Sequence, residues 1–186
     1  EEPEGRWIVD PLDGTTNFLH GLPHWAISIA LEQAGGIVAG VVFDPLKDEL
    51  FWAERGHGAY VNSRQLRISR KEDLTESLFA TGMPFKGRGD QDTTMAEIEK
   101  VAFASAGVRR FGSAALDLAY VAAGRYDGYW ERGLAAWDIA AGALIANEAG
   151  GRVTDLNGGE KIVSDRSIIV AGPMIYDQFF NLVTKA

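Results

Sequence analysis

The residues best suited to chemistry are two aspartates, Asp10 and Asp13, on either side of a proline and directly behind the apolar run Trp7–Val9. Such a run, ending at Asp-Pro and followed by Gly14–Thr16, predicts a strand, a sharp turn and then a new element. At that junction two carboxylates and several free backbone amides would point into the same space. No Lys or Arg occurs between residues 7 and 31. Two unpaired carboxylates side by side predict a cation site.

A second Asp-Pro pair, Asp44-Pro45, provides an internal comparison. Here Lys47 replaces the second aspartate, and no Gly-Thr-Thr follows. This copy predicts an ordinary turn, because Asp before Pro commonly starts one. In the first copy, Gly14 lets the backbone approach a ligand closely, and the amides of Gly14 and Thr15 can hydrogen-bond phosphate oxygens. The first copy therefore predicts a phosphate site beside the cation site.

A third carboxylate, Asp138, opens the predicted helix 139–149, and two interpretations stay open for it. Taken alone it is an N-cap, a position where Asp stabilises a helix by about 1 kcal/mol. The stretch 133–138 again lacks Lys and Arg, so Asp138 is also a candidate for the cation site. Glu131, at the end of the predicted strand 126–130, would lie near it. The alternatives for Glu131 are a solvated strand end or an ion pair with Arg132.

Gly112, Ser113 and Ala114 begin another predicted helix. One interpretation is purely structural, with Ser113 as the N-cap of the helix. The other is functional, because the free amides at the helix start can bind an anion or a substrate hydroxyl. Arg109 and Arg110, just before them, fit a phosphate contact, a subunit contact or a solvated strand edge. The three histidines show no spacing typical of zinc ligands. The Trp and Phe residues between positions 7 and 52 are predicted to be core.

Composition limits the function classes. The 186 residues, 46% of them hydrophobic, suffice for a substantial core, and the net charge of −8 argues against binding to nucleic acid or to an anionic membrane. The absence of cysteine excludes disulfides and thiol catalysis and fits a cytoplasmic location. No apolar run approaches the roughly 20 residues of a membrane helix, and no signal peptide is visible. Because Glu1 and Glu2 lead almost directly into a buried-looking strand, we expect an N-terminal portion of the natural protein to be missing.

The order of elements predicts the architecture. Residues 25–68 show β-rich runs separated by turn signals, which indicates an antiparallel meander, and the rest alternates helices with short strands. This pattern predicts a layered α/β (α+β) fold with two sheets. We expect one subdomain at 1–110, an antiparallel-sheet unit carrying the two-aspartate motif, and an α/β subdomain at 111–186 carrying Asp138.

Together, the stretches 7–18 and 137–151 resemble the inositol monophosphatase family, and its bacterial members most of all. The stretches 112–118 and 127–131 also fall at the places that family expects. The resemblance implies an alternating α-β-α-β-α sandwich of the inositol monophosphatase and fructose-1,6-bisphosphatase type. It further implies a Mg²⁺-dependent phosphomonoesterase with two or three metal ions, inhibited by lithium and usually a homodimer.

For the metals, the resemblance implies that Asp10 bridges two ions, with the Leu12 carbonyl and Asp13 completing their ligands and Asp138 binding the second. The family takes a further glutamate from a Gly-Glu-Glu motif upstream, and a water-activating aspartate. Glu2 is the candidate for that glutamate, although it stands only eight positions before Asp10.

For the substrate, the resemblance makes Thr15 the residue that orients and activates the attacking water, with Asp10 and Asp13 as the other catalytic residues. It places the phosphate on the amides of Gly14 and Thr15. The implied substrate contacts as a whole are Leu12, Asp13, Gly14, Thr15, Gly112, Ser113, Ala114, Glu131 and Asp138. A covalent nucleophile is not required, and Thr15 alone would be a poor one.

Two alternatives to an inositol-phosphate phosphatase stay open. The first is a relative on the same fold that acts on fructose bisphosphate, a bisphosphate nucleotide or histidinol phosphate. Thr16–Phe18 after the Asp-Gly-Thr sequence favours the inositol type, and Glu131 favours a polyol. The second is a protein-binding role in transcription or ribosome assembly, since some bacterial relatives of the family act as partners of that machinery. The first alternative binds a small molecule and the second binds a protein, so neither requires direct contact with nucleic acid.

Overall fold

A computed structural model of the chain describes residues 5–84 and 90–185. The strands are β1 Arg6–Asp13, β2 Ala26–Gln33, β3 Gly36–Asp44, β4 Glu49–Glu54, β5 Ala59–Val61, β6 Arg64–Gln65, β7 Leu78–Thr81, β8 Gly107–Arg109, β9 Gly128–Arg132, β10 Arg152–Thr154 and β11 Ser167–Ala171. The helices are α1 Thr15–Leu19, α2 Gln91–Ala104, α3 Ala114–Ala122, α4 Ala136–Glu148, α5 Ile162–Asp165 and α6 Tyr176–Thr184. Within the described ranges, no helix has the length and apolar content needed to cross a membrane.

The first sheet contains β1 to β6 in chain order, each strand antiparallel to the next. This confirms the predicted meander and adds β1 at its edge. The predicted sharp turn at Pro11 is wrong, because β1 continues to Asp13 with a shift of register against β2 between Asp10 and Asp13. An edge strand tolerates proline, which has no N–H to donate, and such an irregularity redirects side chains. The chain turns instead at Gly14, whose φ is +87°.

The second sheet has the order β10-β11-β9-β7-β8. Strand β7 is parallel to both β8 and β9, whereas β11 is antiparallel to β9 and β10. Strand β7 and helix α5 were not predicted, because a run of four residues is too short to show a helical or strand period. Both β7 and β8 precede residue 110 yet belong to this sheet. The subdomain boundary at 110 stays a prediction.

The two sheets enclose helices α3 and α4. All nine residues of α3 are buried, and so are the eight consecutive residues Ile139–Ala146 of α4. A helix that is apolar on every side must be covered on every side, as these two are. On the far face of the second sheet, Phe79 and Trp130 pack with Phe179 of α6 and with α2. The layers therefore run sheet, helices, sheet, helices, which confirms the layered α/β fold.

The outer face of the first sheet is more exposed than predicted. Trp7 is 66% exposed and Phe18, on α1, is 49% exposed, so the prediction that both belong to the core is wrong. Phe51 is fully buried, as predicted. Successive side chains of a strand point to opposite faces, so Ile8 turns towards the helices while its neighbour Trp7 turns away from them.

An ion pair between buried Glu97 and exposed Arg132 connects α2 to the end of β9. Glu97 accepts hydrogen bonds from Trp130 Nε1 (3.1 Å) and from Arg132 Nε and Nη2 (2.9 and 2.7 Å). We expect Glu97→Ala to lower the free energy of unfolding by about 2 kcal/mol, because it leaves the buried Trp130 N–H without its acceptor. Urea unfolding measures this, and Glu99→Ala, at an exposed position of α2, is the matched control. Equal losses in both variants would contradict the prediction.

Candidate metal centre

Asp10, Asp13 and Asp138 come together at one end of the central helix layer. Each offers a carboxylate oxygen, and these oxygens all lie within 4.8 Å of one another. The irregularity in β1 brings Asp10 and Asp13 to this point, and the first turn of α4 brings Asp138. The structure thus assembles the three carboxylates that the sequence analysis proposed as one site.

Asp10 and Asp13 are each held through one oxygen. The Leu12 amide donates to Asp10 Oδ1 (2.9 Å). Asp13 Oδ2 accepts from the Ser113 hydroxyl (2.6 Å) and from the Ala115 amide (2.8 Å). The amide at the start of α3 therefore binds a protein carboxylate, which fixes Asp13 against the central helices.

Asp138 is held in the same way, by the Ala135 amide, which donates to its Oδ2 (2.7 Å). The interpretation of Asp138 as an N-cap is wrong, because α4 begins at Ala136 and its N-cap is Ala135. Asp138 instead lies in the first turn, where its side chain binds the N-cap amide. A carboxylate there also interacts favourably with the helix dipole.

Each of the three carboxylates keeps one oxygen that accepts no hydrogen bond from any residue in 5–84 or 90–185. The second Asp-Pro motif differs at this point. Asp44 Oδ1 accepts from the amides of Leu46 and Lys47, and its Oδ2 pairs with the Lys47 ammonium (2.6 Å). Lys47 thus supplies a positive charge that no described side chain supplies to Asp10. Free carboxylate oxygens are the donors that Mg²⁺ and similar hard cations prefer, so the donor set fits such an ion.

Electrostatics show the cost of keeping these carboxylates together. Burial raises the pKa of Asp13 to about 7, against the hydrogen bonds from Ser113 and Ala115, and the charges of Asp138 and Asp10 raise it further. Burial also raises the pKa of Asp138, while the Ala135 amide lowers it. A bound cation would offset this repulsion and favour the ionised forms.

Two cavities meet at Asp13, Gly112 and Asp138. The larger, of about 820 Å³, is lined by Asp10, Leu12, Asp13, Gly14, Thr15, Thr16, Gly112, Gly133, Ala135, Ala136, Trp137, Asp138, Val163 and Arg166. The smaller, of about 170 Å³, is lined by Asp13, Gly82, Met83, Arg110, Gly112, Ser113, Ala114, Glu131, Leu134 and Asp138. All the described residues that the sequence analysis assigned to metal or substrate line one or both cavities.

Glu131 lies half-buried in the wall of the smaller cavity, where its Oε2 accepts from the Tyr129 hydroxyl (2.5 Å). Burial raises its pKa to about 7, and the charges of Asp13 and Asp138 raise it further. An ion pair between Glu131 and Arg132 was an open alternative, and it is wrong, because Arg132 turns to Glu97. Glu131 is therefore available to a molecule in the cavity.

Ser113 is the N-cap of α3, as predicted, and accepts a hydrogen bond from the Leu116 amide (3.4 Å). Its hydroxyl proton points to Asp13, so towards a substrate hydroxyl Ser113 would act as an acceptor. Glu2, the candidate for the upstream metal-binding glutamate, lies outside the described residues.

A model of the inositol monophosphatase family matches residues 2–185. The chain belongs to this family. It is 52% identical over 185 residues to an inositol-1-monophosphatase of Mesorhizobium japonicum, covering 100% of this chain and 70% of that protein. It is 48% identical over 178 residues to the Nus factor SuhB of Pasteurella multocida, covering 96% of this chain and 67% of that protein.

Solved structures of the family have the same fold. The crystal structure of the extragenic suppressor protein suhB from Bartonella henselae superposes with a TM-score of 0.96 at 51% identity, covering 100% of this chain and 72% of that one. This chain spans 62% to 72% of the length of three relatives named inositol-1-monophosphatase. Membership of the family supports a phosphatase, and the acidic cluster agrees with the metal dependence general in the family.

Three residues in or near these cavities were not singled out in the sequence. Arg166 lines the larger cavity from a loop before β11, and Gly82 lines the smaller one after β7. Asp117 of α3 is fully buried without a hydrogen bond to either oxygen within the described chain, and burial raises its pKa well above the usual value. Only the pairing of β11 and β7 with β9 brings Arg166 and Gly82 to the site, and no local pattern shows that pairing.

Proposed function

We propose that the chain is a Mg²⁺-dependent phosphomonoesterase that hydrolyses inositol 1-phosphate or a related polyol phosphate to the polyol and phosphate. The observation that carries the proposal is the set of three carboxylates, Asp10, Asp13 and Asp138, each with a free oxygen facing a common cavity. A phosphate dianion cannot approach three bare carboxylates unless cations stand between them.

In this proposal Asp10, Asp13 and Asp138, with the Leu12 carbonyl, hold two or three Mg²⁺ ions. Bound Mg²⁺ would neutralise the phosphate, lower the pKa of a water molecule and stabilise the leaving alkoxide. The contacts on the far oxygens, such as that of Leu12 N to Asp10, keep the ligands oriented. Carboxylate oxygens held in this way would suit a hard cation such as Mg²⁺.

The phosphate is proposed to bind the amides of Gly14 and Thr15 beside the metals. Gly14 has a left-handed backbone, and a Cβ there would stand 3.0 Å from the His24 carbonyl oxygen. Only glycine meets both conditions without strain, so Gly14 allows the tight turn that packs against His24 and leaves the amides of α1 facing the larger cavity. These residues line the larger cavity together with Asp10.

Thr15 is proposed to orient the attacking water. Its hydroxyl donates to the Leu12 carbonyl (2.8 Å), which leaves its oxygen lone pairs free to accept a hydrogen bond from water. A water held at Thr15 and next to the carboxylates is placed to attack phosphorus directly. The hydrolysis then proceeds without a covalent intermediate.

The polyol is proposed to lie in the smaller cavity. Glu131 and Asp138 would accept hydrogen bonds from its hydroxyls, as would Ser113, between Gly112 and Ala114. Two negatively charged acceptors suit a leaving group rich in hydroxyls and disfavour one that carries a second phosphate. This preference supports a polyol monophosphate over fructose bisphosphate or a bisphosphate nucleotide.

Gly82→Ala tests the polyol site. A Cβ on Gly82 would lie 2.0 Å from the Glu131 carboxylate, which must then leave its present position. We expect KM for inositol 1-phosphate to rise about tenfold, the loss of one hydrogen bond to a charged group. Steady-state kinetics measure this, and p-nitrophenyl phosphate, which lacks the polyol hydroxyls, is the control substrate. An equal change with both substrates would contradict the placement.

The function itself is tested by phosphate release from inositol 1-phosphate with and without Mg²⁺. A parallel panel of fructose 1,6-bisphosphate, 2′-AMP and histidinol phosphate tests the related phosphatases. We expect Mg²⁺-dependent release that is greatest for inositol 1-phosphate. Release that does not depend on metal would refute the proposal, and preference for another substrate would correct its specificity. Inhibition by lithium, a homodimer and a cytoplasmic location stay predictions of the resemblance.

The second candidate is a protein-binding role in transcription. Five relatives at 48% to 49% identity carry the name Nus factor SuhB, which is the observation in its favour. Such a role can accompany catalysis or replace it. Because the net charge of −8 opposes nucleic acid, the partner would be a protein. Binding to a transcription protein that persists in Asp13→Asn would establish this role independently of hydrolysis.

A further inference from the structure

Arg166 makes three hydrogen bonds to the two loop residues that follow β9. Its Nε donates to the Leu134 carbonyl (3.0 Å) and its Nη2 to the Gly133 carbonyl (3.3 Å). Its own carbonyl accepts from the Leu134 amide (3.1 Å). Arg166 thus binds two consecutive residues of the loop through both its backbone and its side chain. A planar guanidinium reaches two carbonyls at once, which the single ammonium of lysine does less well.

The loop that Arg166 holds also holds Asp138. Ala135, the next residue after Leu134, donates its amide to Asp138 Oδ2 (2.7 Å). In return, Ala135 accepts a hydrogen bond from the Asp138 amide (3.1 Å). The Leu134 carbonyl that accepts from Arg166 Nε and the Ala135 amide that donates to Asp138 therefore belong to one rigid, planar peptide group.

We propose that Arg166 is a positioning residue for the metal centre: it fixes the loop 133–135 and, through the Ala135 amide, the orientation in which Asp138 meets a divalent cation. This inference rests on the proposed function, because it takes Asp138 as a metal ligand. Groups that orient a ligand commonly change metal affinity by about 10-fold to 100-fold when they are replaced.

Charge and positioning act in opposite directions at Arg166, which makes the inference testable. Arg166 lines the same cavity as the three carboxylates, so its positive charge repels a cation bound there. If Arg166 acted through charge alone, its removal would strengthen cation binding. If it acts by positioning, its removal weakens binding even though the repulsion is gone.

The experiment is a titration of the wild-type protein and its variants with Tb³⁺, followed by its luminescence. Tb³⁺ takes the oxygen ligands of hard cations, and Trp137, which is 52% exposed in the same cavity, is placed to sensitise it. Competition with Mg²⁺ in the same cuvette gives the Mg²⁺ affinity. Thermal unfolding of each metal-free variant shows that the fold is retained.

We expect Arg166→Met to weaken Mg²⁺ binding about 10-fold. Arg166→Lys keeps the charge but loses the two-carbonyl contact, and we expect it to weaken binding at least as much. Arg64→Met removes an equal charge from β6, at the opposite edge of the first sheet, and should leave the affinity unchanged. Tighter binding by Arg166→Met, with Arg166→Lys at the wild-type value, would overturn the inference in favour of charge alone.

A double variant shows whether Arg166 acts through Asp138. In the background Asp138→Asn, we expect Arg166→Met to cause no further loss of affinity, because the carboxylate that it positions is gone. Additive losses would overturn the inference. Failure of the proposed function is recognised separately, since the wild-type protein would then bind neither Tb³⁺ nor Mg²⁺ saturably.

Discussion

Replacing Asp13 with Asn is expected to lower the proposed Mg²⁺-dependent phosphate release from inositol 1-phosphate by about three orders of magnitude, the equivalent of about 4 kcal/mol in the transition state. The fold is expected to survive. The amide oxygen of Asn can still accept from Ser113 and Ala115, the two donors that hold Asp13 Oδ2. The substitution changes the other oxygen, Oδ1, which accepts no hydrogen bond in the described chain and which the neutral NH₂ group of Asn replaces. The loss is thus a loss of metal binding.

Two measurements decide this prediction. Phosphate release over a range of Mg²⁺ concentrations gives the rate, and Tb³⁺ luminescence gives cation affinity independently of turnover. Asp177→Asn is the control, because Asp177 is exposed in α6 and its removal changes the net charge by the same amount. Release by Asp13→Asn within a few fold of the wild type at every Mg²⁺ concentration would contradict the assignment of Asp13.

The site was predictable where its chemistry is local. Asp10 and Asp13 stand out because no nearby cation neutralises them, and Asp44 with Lys47 shows how an ordinary copy of the motif looks. The comparison succeeds because both copies form the same contact, from the amide two residues on to the first carboxylate oxygen. They differ because Lys47 gives Asp44 a second amide on the first oxygen and an ammonium on the second.

The rest of the site was not predictable because it depends on contacts between distant parts of the chain. Ser113 reaches Asp13 across 100 positions. From the local sequence alone, Asp138 is predicted to be an N-cap. The helix instead starts two residues earlier, at Ala136, and the Asp138 side chain accepts from the amide of the N-cap residue Ala135. The exposure of Trp7 was also unpredictable, because it depends on which distant parts of the chain cover β1. An apolar strand suggests burial on both faces, whereas the described residues cover only one face of β1.

The metal-free protein is expected to lose stability as the pH rises from about 4 to about 7. Burial raises the pKa values of Asp13 and Glu131 to about 7 in the folded state, from ordinary values of 3.8 and 4.5. Between these limits the unfolded chain has already released protons that the folded chain keeps. The folded state then binds more protons, so the free energy of unfolding falls with rising pH. Above about pH 7 both states are ionised and this contribution levels off.

Urea unfolding with a chelator, at pH 5 and pH 8, measures the effect in the wild-type protein and in Asp13→Asn. The neutral amide has no charge to desolvate, so Asp13→Asn should be the more stable of the two at pH 8, by up to about 4 kcal/mol at about 1.4 kcal/mol per pKa unit. The difference should shrink at pH 5. Mg²⁺ should narrow the difference at pH 8, by about 2.7 kcal/mol at 100 times its Kd, because it stabilises only the protein that binds it. A metal-free wild-type protein more stable than Asp13→Asn at pH 8 would show that Asp13 serves the fold. The opposite order means that Asp13 destabilises the fold until a cation binds.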